Sequence, residues 1–335
     1  MRDYQITLAC RNYDRTQAIV RGLVKAEGIK LKVLEMNSVP GMFSGFFRGE
    51  YDVSEFSLAE LVYCASRGND EFVGIPVFPS RVFRHGFIFC SPSSELRGPQ
   101  SLQGKKIGFP RLVQTATIWI RGILIGEYGI SPKNIQWYAA SVHHWDGGQD
   151  MGEIQPRDGS VIHWLERKGN DDNESAELAL SEGRIDALGT TQFPTAFSGG
   201  DREVKRLFPN YREVEASYFK KTRIFPIMHV VAARKAVVDR HPDLPGKIFG
   251  LFSKAKRWGR EWVRMDPSLS LVWKNQYLDE EEETFQGDPW AYGLEKNSHA
   301  ISQFLSYCHD LGISKRELTP RDLFAPSTWE LAEQP

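Results

Sequence analysis

No stretch of the sequence approaches the roughly 20 apolar residues needed to span a bilayer, and the mean hydropathy is −0.40. Nor is there an excess of one charge. Lys and Arg number 42 against 43 Asp and Glu, a formal net charge of −1, so the chain as a whole has no pull towards nucleic acid or an anionic membrane. Cysteine is scarce: Cys10, Cys64, Cys90 and Cys308 lie far apart and form no C-x-x-C pair. In a long chain they read as reduced, buried thiols rather than a disulfide framework. The N-terminal apolar stretch is broken by Asp3, Gln5 and Thr7, so no secretory signal is read there and a cytoplasmic location is expected. Three motifs are also missing: G-x-G-x-x-G, G-x-x-x-x-G-K-[ST] and G-x-S-x-G. Nucleotide cradles and the nucleophile elbow lose support accordingly.

What is present is a globular composition, 41% hydrophobic and 12% aromatic over 335 residues, enough for a packed core in about two domains. Strand-like runs at 4–10, 30–35, 53–56 and 72–77 alternate with helical patterns at 16–27, 41–48 and 58–66. That order predicts parallel strands with right-handed crossovers. A strand is expected over 85–90. A second series follows: a strand at 105–109 ended by Pro110, a helix over 115–128, a strand at 135–138, a hairpin around 161–165, a helix over 174–182 and a strand at 184–188. An apolar run at 227–233 reads as the return to the first lobe, followed by helices at 245–265 and 299–311. The acidic run 279–283 reads as a solvated helix start. The expected domains are 1–92 plus 228–335 for lobe 1 and 93–227 for lobe 2, with a ligand cleft and hinge near 79–92 and 222–230.

In open α/β sheets ligands sit beyond the carboxyl ends of strands, which directs attention to loops 11–15, 55–58, 79–85, 110–117 and 189–192. Arg81, Arg84 and His85 fall within five positions. A guanidinium grips a carboxylate through two parallel hydrogen bonds, and a histidine can pass a proton near neutrality; two surface arginines and a structural histidine fit the same spacing. Arg11 and Arg15 flank Asp14, which fits a helix N-cap as well as a site carboxylate. Thr115 and Thr117 open a helix whose N-terminus attracts anions, with Arg121 one turn on. Adjacent His143 and His144 invite a metal, yet neighbouring histidines seldom share one ion and no further ligand follows at metal spacing.

Seven segments resemble the 4,5-dihydroxyphthalate decarboxylases: Asp14-Arg15-Thr16, then 51–57 (YDVSEFS), 75–85 (IPVFPSRVFRH), 119–124 (WIRGIL), 224–231 (IFPIMHVV), 287–295 (GDPWAYGLE) and 323–326 (LFAP). They run in order along almost the whole chain. The resemblance implies an α/β, two-lobed periplasmic-binding-protein type II-like fold with a ligand cleft between lobes. It also implies cofactor-free loss of CO2 from a hydroxylated aromatic acid, 4,5-dihydroxyphthalate to protocatechuate, in aromatic catabolism. On that reading His85 is the proton donor and Arg84 and Arg81 hold the carboxylates. His229 and Glu55 serve the phenol side, and Arg15, Asp14, Ser57, Thr115, Thr117 and Arg121 complete the substrate shell. No metal or other cofactor is expected, and no nucleic-acid or membrane partner; assembly into a homo-oligomer is left open. Two departures stand out: Gly86 replaces the serine that often follows the Arg-His pair, and 141–158 does not match the family pattern. Competing readings are a solute-binding protein for an aromatic acid, a chorismate dehydratase-like lyase on the same fold, and a ligand-sensing module.

Overall fold

The computed structural model describes residues 4–143, 154–198 and 204–333. Among the described residues eleven strands form two sheets: β1 (Tyr4–Cys10), β2 (Ile29–Glu35), β3 (Val53–Ser57), β4 (Phe72–Arg81), β5 (Ile88–Cys90), β6 (Lys106–Arg111), β7 (Gln136–Ser141), β8 (Ile162–Trp164), β9 (Ala187–Gly189), β10 (Lys205–Arg206) and β11 (Ile227–Arg234). One sheet has the order β2-β1-β3-β11-β4 and the other β10-β5-β9-β6-β7-β8. By internal contacts the chain divides into a first unit, 1–81 with 227–302 and 318–335, and a second, 82–226 with 303–317. Segment 82–92, expected with the first lobe, therefore groups with the second. So does 303–317, whose crossing no breaker residue announces, because it falls inside the helix Leu294–Asp310. Among the described residues no helix is long and apolar enough to cross a membrane.

In the first unit β1 pairs parallel with β2 and β3, while β11 runs antiparallel between β3 and β4. The β11–β3 ladder is regular, but the β11–β4 register shifts on both sides of His229. The cause lies in the sequence of β4, where Pro76 and Pro79 have no N–H to give the ladder, a defect tolerated on an edge strand. The helix Leu58–Ser66 starts where the Ser57 hydroxyl accepts the Glu60 N–H, an ordinary N-cap. The first helix is far shorter than the expected 16–27, spanning only Gln17–Val20. Gly22 turns left-handed at φ 68°, and the N–H groups of Gly22 and Leu23 return to the carbonyls of Ile19 and Ala18 at 3.0 and 2.8 Å. That closure stops the helix. Asp14 does not cap it; the residue before the helix is Thr16.

In the second unit β6, β7 and β9 surround a core of Ile107, Phe109, Ile120, Leu124 and Trp137. Pro110 does not end its strand: β6 runs on to Arg111, because pairing with β9 stops at Gly108 and no bond on that side is lost. Residues 162–164 form no hairpin but lie parallel to β7. The strand expected at 85–90 opens with a 3-10 turn, His85–Phe87, whose Gly86 N–H is drawn to Glu215 Oε1 at 3.0 Å. The acidic run 279–283 lies inside the helix Lys274–Phe285, where Asp279 and Glu282 pair with Arg264 at 3.1 and 2.6 Å.

The helix Leu244–Met265 crosses the 11–16 loop at Gly259, where an added Cβ would lie 2.2 Å from the Asp14 carbonyl oxygen. Alanine normally favours a helix over glycine by about 1 kcal/mol, a gain that a backbone clash of this depth outweighs. Gly250, in the same helix, has nothing within 4 Å of its added Cβ. Thermal unfolding should therefore separate the two: Gly250→Ala raises Tm, while Gly259→Ala lowers it. Equal shifts in the same direction would show that the 11–16 loop is not held against this helix.

Candidate active site

The strongest concentration of chemistry in the first unit surrounds Glu55. Its side chain has no exposed surface, so each carboxylate oxygen needs a donor. Tyr13 Oη donates to Oε1 at 2.7 Å, His229 Nδ1 lies 2.6 Å from the same oxygen, and the Arg11 N–H donates to Oε2 at 3.1 Å. Burial alone pushes this carboxyl upwards, but the hydrogen bonds from His229, Tyr13 and the Arg11 N–H outweigh it and hold it below its ordinary value. Glu55 is thus an ionised group in the protein interior. Tyr13 is driven the other way, first by burial and then by the Glu55 charge, and stays a phenol donor.

Register explains the meeting. His229 stands opposite Ser57 on β3 and Ser80 on β4. Glu55, two residues from Ser57, shares its face and reaches His229 diagonally. Phe43 holds the imidazole edge-on at 5.2 Å. With Nδ1 committed to Glu55, Nε2 is the ring nitrogen left for a substrate. The side chain keeps 17% of its surface exposed, so the ring is oriented but reachable.

Arg15 lies in the adjoining loop. Its Cζ sits 3.8 Å from the centroid of Trp290 and 4.4 Å from that of Tyr13, stacked geometry that fixes the guanidinium plane. Nε donates to the Pro79 carbonyl at 2.5 Å and Nη1 to Asp14 Oδ1 at 2.8 Å. Nη2 has no partner among the described residues. Asp14 therefore aims Arg15 instead of capping a helix.

Other expected residues of this unit are engaged in the fold. Arg81 is 6% exposed and its Nη2 donates to Ala291 O at 2.9 Å and to Asn297 Oδ1; burial lowers its pKa to about 10. The Ser57 hydroxyl caps a helix.

In the second unit His85 is 1% exposed among Phe208, Tyr218 and Tyr128, at ring distances of 5.4, 5.3 and 6.1 Å. Neither ring nitrogen has a hydrogen-bond partner among the described residues. Burial pushes its pKa down to about 4, so the ring is neutral at pH 7. Sequence reasoning missed Glu215, whose Oε1 stands 4.0 Å from His85 Nδ1; burial raises its carboxyl to about 7 against the hydrogen bonds of the Gly86 and His85 N–H groups and the charges of Arg206 and Arg84. No local motif marks it, since it is an ordinary position of the helix Tyr211–Thr222. Arg84 is buried beside Phe87 at 5.0 Å, its pKa lowered to about 9 by burial. Gly86 is the residue this turn admits, since an added Cβ would lie 2.9 Å from the Tyr211 ring.

Arg121 is held inside the unit: Nη2 donates to Ser160 Oγ at 2.6 Å, Asp158 lies at 3.6 Å, and Cζ stands 4.7 Å from the Trp137 centroid. Thr115 and Thr117 are buried in the first turn of the helix Thr115–Tyr128, Thr117 Oγ1 bonding Gln114 at 3.2 Å. His143 is buried just past β7, and His144 lies outside the described residues.

The fold is that of the periplasmic binding proteins. The structure is similar to the periplasmic aliphatic sulphonate binding protein SsuA of Escherichia coli, with a TM-score of 0.57, 12% identity and coverage of 98% of this chain and 99% of that one. It is also similar to the alkanesulfonate-binding protein SsuA of Xanthomonas axonopodis pv. citri bound to MOPS, with a TM-score of 0.54, 13% identity and the same coverage of 98% and 99%. No family model matches the chain. In sequence it is similar to the 4,5-dihydroxyphthalate decarboxylase of Comamonas testosteroni, 29% identical over 332 residues that cover 98% of this chain and 99% of that one. A second decarboxylase of the same name, from Pseudomonas putida, is 25% identical over 226 residues, 66% of this chain and 83% of that one.

The buried histidine makes a pH prediction. Unfolded, its imidazole titrates at its ordinary 6.5; folded, at about 4. The unfolded state binds the proton more readily, so this group's contribution is whole above pH 6.5 and is lost as pH falls towards 4. Glu215, raised from 4.5 to about 7, acts in the opposite sense, adding stability as pH falls from 7 to 4.5. A difference measurement isolates His85. In urea titrations at pH 7 and 4.5, His85→Phe should lose about 2–3 kcal/mol less than the parent on acidification. Identical losses would show that the ring is not held neutral.

Proposed function

We propose that the chain catalyses cofactor-independent decarboxylation of a hydroxylated aromatic acid, 4,5-dihydroxyphthalate to protocatechuate. The similarity to decarboxylases of that name supports the reaction class. The observation that carries the reading is the Glu55–His229 pair, a buried carboxylate orienting a reachable imidazole, beside Arg15 with one guanidinium nitrogen to spare.

The chemistry follows from what those groups can do. Nε2 of His229 accepts the proton of the phenol para to the departing carboxylate, and Glu55 stabilises the imidazolium that forms. The phenolate pushes electron density to the carbon bearing the carboxylate. A proton from solvent adds there, the C–CO2 bond breaks, its electron pair restores aromaticity and CO2 leaves. The balance is one proton taken up at the ring carbon for each CO2 released. Arg15, clamped between two aromatic rings, binds a carboxylate through a guanidinium whose orientation is already set, so little entropy is lost on binding. His85, neutral at pH 7 inside its aromatic shell, is not assigned the protonation of the ring; His229 takes the phenol proton.

General acid–base groups contribute roughly 10²–10⁴-fold. His229→Gln should accordingly lower CO2 release from 4,5-dihydroxyphthalate at least a hundredfold while leaving the fold intact. Turnover in D2O should place deuterium on the carbon that carried the carboxylate. His229→Gln working within twofold of the parent would end the assignment.

A further inference from the structure

The Arg15 stack depends on Trp290, and Trp290 sits in a turn held by groups distant in sequence. Lys256, 4% exposed, sends its ammonium to Asp288 Oδ2 at 2.5 Å, Glu333 Oε2 at 2.6 Å and the Trp290 carbonyl at 2.9 Å. An ammonium has three donors, and all three are spent on this turn and its brace. Glu333 Oε2 also accepts the Tyr292 N–H at 2.8 Å. Asp288 Oδ1 accepts the Trp290 N–H at 2.9 Å and pairs with Arg260 at 3.1 Å. The chain after residue 330 lies directly on the turn, since a Cβ at Gly293 would stand 2.9 Å from the Leu331 carbonyl oxygen.

We infer that Glu333, acting with Lys256, is a positioning residue that holds Trp290 against Arg15 and so sets the guanidinium that receives the substrate carboxylate. The inference rests on the proposed function only for the identity of that carboxylate. Its physical content is local. Lys256 and Glu333 bond the backbone on both sides of Ala291: Lys256 at the Trp290 carbonyl, Glu333 at the Tyr292 N–H. Without the Glu333 charge, the buried ammonium keeps a single carboxylate, Asp288, and the bond that fixes the far end of the turn loses its charge assistance. A Trp290 ring free to shift releases Arg15 from the plane in which Nη2 is presented. The cost should fall on recognition, because His229 and Glu55 are anchored on other elements.

The test is a double-mutant cycle with two readouts, calorimetric binding of phthalate (benzene-1,2-dicarboxylate) and steady-state turnover of 4,5-dihydroxyphthalate. Glu333→Gln should weaken phthalate binding about tenfold and raise KM by the same factor, with kcat within twofold of the parent. Glu333→Asp, which keeps the charge at shorter reach, should fall between the two. Trp290→Ala should weaken binding at least as much, and adding Glu333→Gln to it should cost nothing more. Unchanged phthalate affinity in Glu333→Gln overturns the inference, as does a double variant whose losses multiply. A parent that binds phthalate but releases no CO2 defeats the decarboxylase reading alone, and the positioning role then stands on the calorimetry.

Discussion

A carboxylate with no exposed surface must find hydrogen-bond donors or give up its charge, and Glu55 keeps its charge. Much of the first unit follows from meeting that demand. One donor is a backbone N–H at the end of β1, one is a tyrosine three residues after that strand, and one is a histidine on β11. Strand β3 must therefore lie between β1 and β11, as the sheet order has it. The 11–16 loop must fold back over the end of the sheet to bring Tyr13 in, and Arg15, two residues on, is carried with it. Helix Leu244–Met265 can lie against that loop because residue 259 has no side chain. The charge in the interior and the cation at the edge are thus two results of one loop conformation.

Much of both units was legible in the sequence. Strand β1, the helix Leu58–Ser66 and the helix Thr115–Tyr128 lie where periodicity and end signals put them. Each is long, or closed by a residue whose local chemistry decides its boundary. The failures are places where a distant partner decides. Residues 16–27 have helical composition, yet Gly22 closes the turn after one helical stretch. Pro110 reads as a strand end only if both sides of β6 are paired, and beyond Gly108 one is not. Segment 162–164 joins β7 as a parallel strand, a pairing set by a partner distant in sequence. Helix Leu294–Asp310 passes from one unit to the other with no breaker at the crossing.

The site divides in the same way. Glu55, His229 and Arg15 can be singled out because they lie in segments that resemble the decarboxylases, Arg15 also in a short charged motif. The arginines show the limit. Arg15, Arg81, Arg84 and Arg121 carry the same fork, and the sequence offers no means of telling an available guanidinium from one consumed by the fold. In the structure Arg81 is spent on Ala291 and Asn297 and Arg121 on Ser160 beside Asp158, while Nη2 of Arg15 has no partner among the described residues. Tyr13 and Glu215 were missed for a related reason. A tyrosine donating to a buried carboxylate looks like any loop aromatic, and Glu215 matters only because the 85–87 turn folds onto its helix.

Everything at this site turns on Glu55 fixing the His229 ring with Nδ1 inward and Nε2 outward. Nitrogen-15 NMR of the His229 imidazole reads this directly, because protonated and bare ring nitrogens differ widely in chemical shift. The neutral ring should carry its hydrogen on Nδ1, directed at Glu55, and Glu55→Gln should abolish that preference. A neutral ring protonated on Nε2 in the parent would leave no acceptor facing the substrate and would rule out His229 as the base.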